Sequence, residues 1–271
     1  MISRRSVAAV AALTLTTVGT LSGAAAAPAT NLLSSYAPAG IRPIPAAAEN
    51  AALVDGTTTV RKAKTVVTLP RTLLRVYANK TSVDRKNILY SQSPTWAVSH
   101  RGKHPRFGIF PVAHSAVLGF GALPITADLH LSQLVRHGQI VPIIVHSRAG
   151  LHFPFRQFPT NVTGSVSVRV SNVRVDQVPL QVGPNCHTVV PMRLRLTGNT
   201  PAYNLFTGGP LRGKATIPPF TGCGTGGDDL DPLLTGTISG PGNTINQQQG
   251  QLAVWTTKNP SDCSGCRPPT P

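Results

Sequence analysis

The chain has 271 residues, 41% of them apolar and only 13% charged, with 25 Gly, 25 Pro and a formal net charge of +16 from 25 Lys and Arg against 9 Asp and Glu. So few ionisable groups among so many turn formers exclude a helical bundle or coiled coil, whose surfaces need Glu and Lys in quantity, and favour a turn-rich β protein.

At the start, Arg4 and Arg5 precede an apolar run from Val7 to Leu21 and small residues from Gly23 to Ala29. This pattern predicts a secretory signal peptide over 1–29, with Ala27-Pro28-Ala29 as the cleavage motif. Ser6, Val7 and Ala8 stand where a twin-arginine signal carries larger apolar residues, so general secretion is the expected route. No other stretch approaches the roughly 20 apolar residues of a membrane helix. The expected product is exported, extracellular or held at the cell envelope, without a transmembrane helix. Removing Arg4 and Arg5 lowers the charge from +16 to +14.

Residues 30–56 are rich in Ala and Pro, with Pro38, Pro43, Pro45 and Ala46-Ala47-Ala48, and read as a disordered linker with too little to bury. A β-rich domain is expected over 57–258, opening with a basic segment at 57–108. There Arg61, Lys62, Lys64, Arg71, Arg75, Lys80, Arg85, Lys86, Arg101, Lys103 and Arg106 face Asp84 alone, which concentrates +10 in this stretch. His100 and His104 add charge in mild acid. Tyr77, Tyr90, Trp96 and Phe107 are interspersed.

Beyond Phe110 the pattern has period two, which turns one set of side chains inward. Ile125, Ala127, Leu129 and Leu131 alternate with Thr126, Asp128, His130 and Ser132. Val166, Val168 and Val170 do the same until Ser171-Asn172, where the phase slips and predicts a bulge before Val173 and Val175. Asp176-Gln177 has the spacing of a hairpin turn, and Met192, Leu194 and Leu196 alternate with Arg193, Arg195 and Thr197. Further strands are expected at 140–146, 211–217, 234–239 and 251–256. Short strands at this spacing predict an all-β fold, an antiparallel β-sandwich or partly open β-barrel.

Residues 259–271 form a Pro/Cys tail. Outside the cell thiols pair, and Cys186, Cys223, Cys263 and Cys266 allow three pairings. Cys186 with Cys223, each beside a predicted strand, and Cys263 with Cys266 as a small loop are favoured. The tail C-x-x-C lacks the βα context of a redox centre.

Asp228, Asp229 and Asp231 crowd three carboxylates behind Gly226-Gly227. They are weak candidates for calcium, whose ligands are oxygens, but they lack EF-hand spacing and read better as the cap of a short turn. The histidines, among them His130 with His137 and His146 with His152, show no metalloprotease spacing. No Gly-x-Ser-x-Gly elbow occurs, and the one Glu, Glu49, lies in the linker. No catalytic residue, cofactor or metal is assigned.

The run Pro218-Pro219-Phe220-Thr221-Gly222-Cys223-Gly224, with Asp229-Leu230-Asp231 and Ser239-Gly240-Pro241-Gly242-Asn243 after it and Asn185-Cys186-His187 before it, resembles a group of secreted actinobacterial proteins with a C-terminal β-rich domain. The likeness spans residues 115 to 255. It implies an exported bacterial β domain and a Cys186–Cys223 bridge, and it carries over no catalytic residue.

The resulting expectation is a non-catalytic binding or envelope-associated protein whose basic segment, Arg61 to Arg106, contacts an anionic envelope polymer or lipid headgroups. Export and the lack of a nucleic-acid fold signature argue against nucleic acid as partner. The alternatives are a hydrolase of an envelope polymer, using Asp228 with His130 or His187, and a β domain that holds a small apolar ligand.

Overall fold

The computed structural model describes residues 50–77, 81–99, 106–119, 123–152 and 158–254. The segment expected as a signal peptide, Lys80, His100, Arg101, Lys103, His104, Cys263 and Cys266 lie outside the described residues. In chain order the strands are β1 (Asn50–Val60), β2 (Thr65–Val76), β3 (Thr81–Val83), β4 (Ile88–Ser99), β5 (Arg106–Phe107), β6 (Ala113–Gly119), β7 (Leu123–Gln133), β8 (Val135–Arg136) and β9 (Gln139–Ile140). They continue with β10 (Ile143–Gly150), β11 (Thr160–Val175), β12 (Val178–Pro179), β13 (His187–Thr188), β14 (Met192–Gly198), β15 (Gly209–Ile217) and β16 (Phe220–Thr221). Helix α1 (Asp231–Ile238) follows, then β17 (Gly240–Gln249) and β18 (Ala253–Val254).

Eight of these strands form a ring. β4, β2, β1, β17, β15, β14, β11 and β10 pair antiparallel in that order, and β10 returns to β4. The fold is therefore all-β and antiparallel as expected, with the barrel closed rather than partly open. A ring of eight strands encloses a space that side chains fill or that holds one small ligand.

β11 is long enough to serve two structures. Thr160 to Val166 belongs to the ring through β14, whereas Val166 to Val175 pairs with β7 and carries the β6–β7 hairpin beyond the barrel. The predicted phase slip is a bulge between Ser171 and Arg174, with Asn172 in the left-handed region at φ 50°. That bulge lets Val170 and Val173, three positions apart, both face the interior, where each is buried. Asp176 and Gln177 form the predicted turn with both φ angles positive, and Val175 pairs with Val178.

Two expectations are corrected. Residues 50–56, assigned to the linker, are the first half of β1, because Ala51, Ala52 and Val54 are buried between β2 and β17. Residues 234–239, assigned to a strand, fall largely in α1. Pro232 in its first turn fixes a helical φ, and the Asp231 carboxylate lies at the favourable end of the dipole. The short strand expected at 251–256 is present as β18, whose Ala253 and Val254 pair with β1, while the long strand β17 before it was not anticipated.

Polar side chains fasten the hairpin to the ring. Gln133 is the next inward position after Leu131, and its amide accepts from the Ala97 N–H while donating to the carbonyls of Thr95 and Val141. Asn243 and Gln249 face inward from β17 and are held the same way, Asn243 by Arg61 N–H and the Ala215 and Gly240 carbonyls, Gln249 by the Tyr203 hydroxyl and the Leu205 carbonyl. Each of these three buried amides is thus compensated.

Candidate functional site

Two apolar spaces adjoin. Inside the ring, a cavity of about 140 Å³ is walled by inward residues such as Val54, Val145, Val162, Leu211 and Ile245. Beyond it, where β11 leaves the ring, a second cavity of about 440 Å³ lies between the β1–β2 turn, the β6–β7 hairpin, the end of β11 and α1. Val60, Leu129 and Ile238 line both. The larger volume is in the range of small-molecule pockets.

The walls follow from local sequence. Alternation in β7 turns Ile125, Ala127 and Leu129 inward, the β11 bulge adds Val170 and Val173, and α1 presents Leu234 and Ile238 from one face. Lys62, Leu233, Gly236 and Thr237 also line the cavity. Lys62 and Gly236 are exposed, and Leu233 is 37% exposed. Lys62 Nζ donates to the Thr235 carbonyl oxygen at 3.4 Å, which holds a cation beside an otherwise apolar opening.

A broader groove of about 890 Å³ runs along β6, β7, β11 and residues 179–184, and its lining mixes polar with apolar side chains. His114 Nδ1 lies 2.6 Å from Asp128 Oδ1, and Asn172 Nδ2 donates to Asp128 Oδ2 at 2.6 Å. Burial works against ionisation of Asp128, but the bonds from Asn172 and His114 outweigh it and hold the carboxyl below its usual range. His130 Nε2 shares a hydrogen bond of 2.8 Å with Ser171 Oγ. This is a His–Ser contact on an open sheet, while Asp128 directs its oxygens at His114 and Asn172.

Among the described residues, the basic segment is not gathered into one patch. Arg61, Lys62 and Lys64 occupy the exposed β1–β2 turn, while Arg85 and Lys86 lie in the turn before β4, past the opposite end of β2. Arg71 pairs with Asp55 at 3.1 Å, and Arg106 is exposed on β5. Arg75, proposed as a surface contact, is instead 1% exposed, and burial lowers its pKa to about 10.

Of the acidic cluster, Asp231 accepts from the N–H groups of Gly222 and Cys223, and Asp229 accepts from Asp231 N–H. Asp229 and Asp231 thus order the loop, as in the capping reading, although the helix N-cap itself is Leu230 without a side-chain bond. Cys186 and Cys223 are bonded, tying the loop before β13 to the one after β16. Among the described residues no group of three or more His, Cys, Asp or Glu could hold a metal ion. His187 meets the Asn185 carbonyl and His130 meets Ser171, and neither contact involves Asp228.

What the sequence did not reveal is the face of α1, because Leu234, Thr235, Gly236, Thr237 and Ile238 read as a β-branched strand. Pro232 was the available signal. The chain matches no family model, no curated protein and no solved structure.

Proposed function

We propose that the protein is an exported, non-catalytic binding module that holds an apolar ligand of acyl-chain type. The carrying observation is the cavity of about 440 Å³ walled by Val60, Val67, Ile125, Leu129, Val173 and Ile238 and continuous in its lining with the barrel interior. An apolar chain in such a space gains about 0.8 kcal/mol for each methylene removed from water. Lys62 at the opening suits a carboxylate or phosphate head group, so the preferred ligand is amphipathic. The N-terminal signal pattern and the Cys186–Cys223 disulfide support an oxidising destination outside the cytoplasm, where envelope lipids are at hand. Among the described residues no helix is long and apolar enough to cross a membrane.

The test is a titration with a series of alkyl carboxylates of increasing length. Affinity is expected to rise about fourfold per methylene, the equivalent of 0.8 kcal/mol, until the cavity is filled, and then to level off. Ala127→Leu adds three carbons to the wall and shortens the plateau by about three methylenes at that volume. Gly236→Leu, where an added Cβ meets nothing within 4 Å, adds bulk at the opening while improving helix propensity by up to about 1 kcal/mol. Failure to bind any member, or a length dependence that both variants leave unchanged, contradicts the reading.

A further inference from the structure

The outer face of the barrel carries a second chemistry, independent of the cavity. Alternation in β14 and β15 buries Leu194, Leu196, Leu211 and Ala215 and leaves Arg193, Arg195, Arg212 and Lys214 exposed on the other side. β14, β15 and β17 contain no Asp or Glu. The ion pairs of Arg71 with Asp55 and of His114 with Asp128 lie elsewhere.

The backbone shapes this charge into a cleft. β14 and β15 share a ladder only at Leu196–Gly213 and Thr197–Arg212. Gly213 brings them so close that an added Cβ would stand 2.0 Å from the Arg195 carbonyl oxygen. Past that approach the ladder stops, and a groove of about 480 Å³ opens, with Arg193 and Arg195 lining one side and Lys214 the other. Pro191, Pro218 and Pro219 stiffen its lining. Arg61 adjoins it at Gly242, where an added Cβ would lie 2.9 Å from the Arg61 side chain.

Like charges on neighbouring strands repel, so this arrangement is unfavourable until an anion enters it. Successive outward residues on a strand stand about 6.8 Å apart and neighbouring strands about 4.8 Å apart, so the cations from Arg61 to Arg212 extend over more than one small anion can span. Guanidinium groups grip phosphate through two parallel hydrogen bonds, and Thr216 of β15, which also lines the groove, carries a hydroxyl of the kind that supplements such contacts. We infer that the β14–β15 groove binds a linear phosphate-bearing polymer through Arg61, Arg193, Arg195, Arg212 and Lys214. Of the N-terminal basic segment this contact keeps Arg61, and its other cations come from strands whose arginines looked like ordinary outward positions.

Binding of the full chain to long-chain inorganic polyphosphate and to poly(glycerol phosphate), followed by fluorescence anisotropy over a salt series, tests the inference. Tight binding of either polymer supports it, and the tighter one names the source of the phosphate. The combined variant Arg193→Ala, Arg195→Ala, Arg212→Ala, Lys214→Ala is expected to weaken binding tenfold or more and to flatten the log–log salt slope by about 3, at roughly 0.7 to 0.9 per lost contact. A control that removes the same charge from Arg85, Lys86, Arg106 and Arg136 should change affinity less than about threefold. Equal losses in the two variants show an effect of net charge and overturn the inference, as does orthophosphate competing as well as the polymer at equal phosphate concentration. Because the cavity is untouched by these substitutions, alkyl carboxylate binding reports on the proposed function separately.

Discussion

Asp128 shows how a single side chain couples local electrostatics to stability. Its carboxyl is held below the ordinary range, since the hydrogen bonds from Asn172 and His114 favour the charged form more than burial disfavours it. A group depressed in the folded state stabilises fully above its unfolded value, about 3.9, and that stabilisation is lost as pH falls through the folded value. Urea melts of the parent chain and Asp128→Asn should therefore differ most near pH 6 and converge as the pH drops below about 4. A difference that grows on acidification would show that the bonds to Asp128 do not favour its ionised form. Gln133 illustrates a different residue-scale lesson. It occupies an inward position that alternation predicts to be apolar, and only the structure shows the three backbone groups that compensate its amide.

At the scale of elements, what was legible depended on whether a strand is buried on one face. β11 and β14 bury one side and β7 half-buries Ile125, Ala127 and Leu129, so alternation revealed these three, and the Ser171-Asn172 slip even located the bulge. β4 defeats that logic, because Trp96 to Ser99 is buried without interruption. β17 defeats it in the opposite way, presenting Asn243, Gln247 and Gln249 alongside Ile245 and relying on hydrogen bonds to make two of its polar residues acceptable inside. Helix α1 is short and rich in Thr and Gly, poor helix formers that tertiary packing of Leu234 overrides. The loop before it is fastened by the Cys186–Cys223 bridge, which spans 37 residues. Replacing both cysteines with alanine should cost about 2–4 kcal/mol in chemical denaturation, since closing a loop of this length restricts the unfolded chain. A loss below about 1 kcal/mol would mean that Asp231 and its bonds to Gly222 and Cys223 already hold the loop without the covalent tie.

At the scale of the molecule, the ring of eight strands makes an apolar interior and a polar, basic exterior from the same alternation. The interior is extended by β11, the β6–β7 hairpin and α1 into a cavity with one cation beside its opening. The sequence disclosed the inward residues but not that they leave space, because volume depends on ring closure and on where α1 sits, neither of which periodicity encodes. Charge counted along the chain concentrates in residues 57–108, whereas pairing of distant strands brings Arg61 to Gly242, on the lining of the groove that Arg193, Arg195 and Lys214 share. The most direct measurement of the central claim is a methyl-resolved NMR titration of the chain with a medium-length alkyl carboxylate. The expected result is saturable shifts confined to Val60, Ile125, Leu129, Val173, Leu234 and Ile238. Shifts confined to exterior methyls such as Val178, Val189 and Val190, or no saturable shift at all, would contradict it.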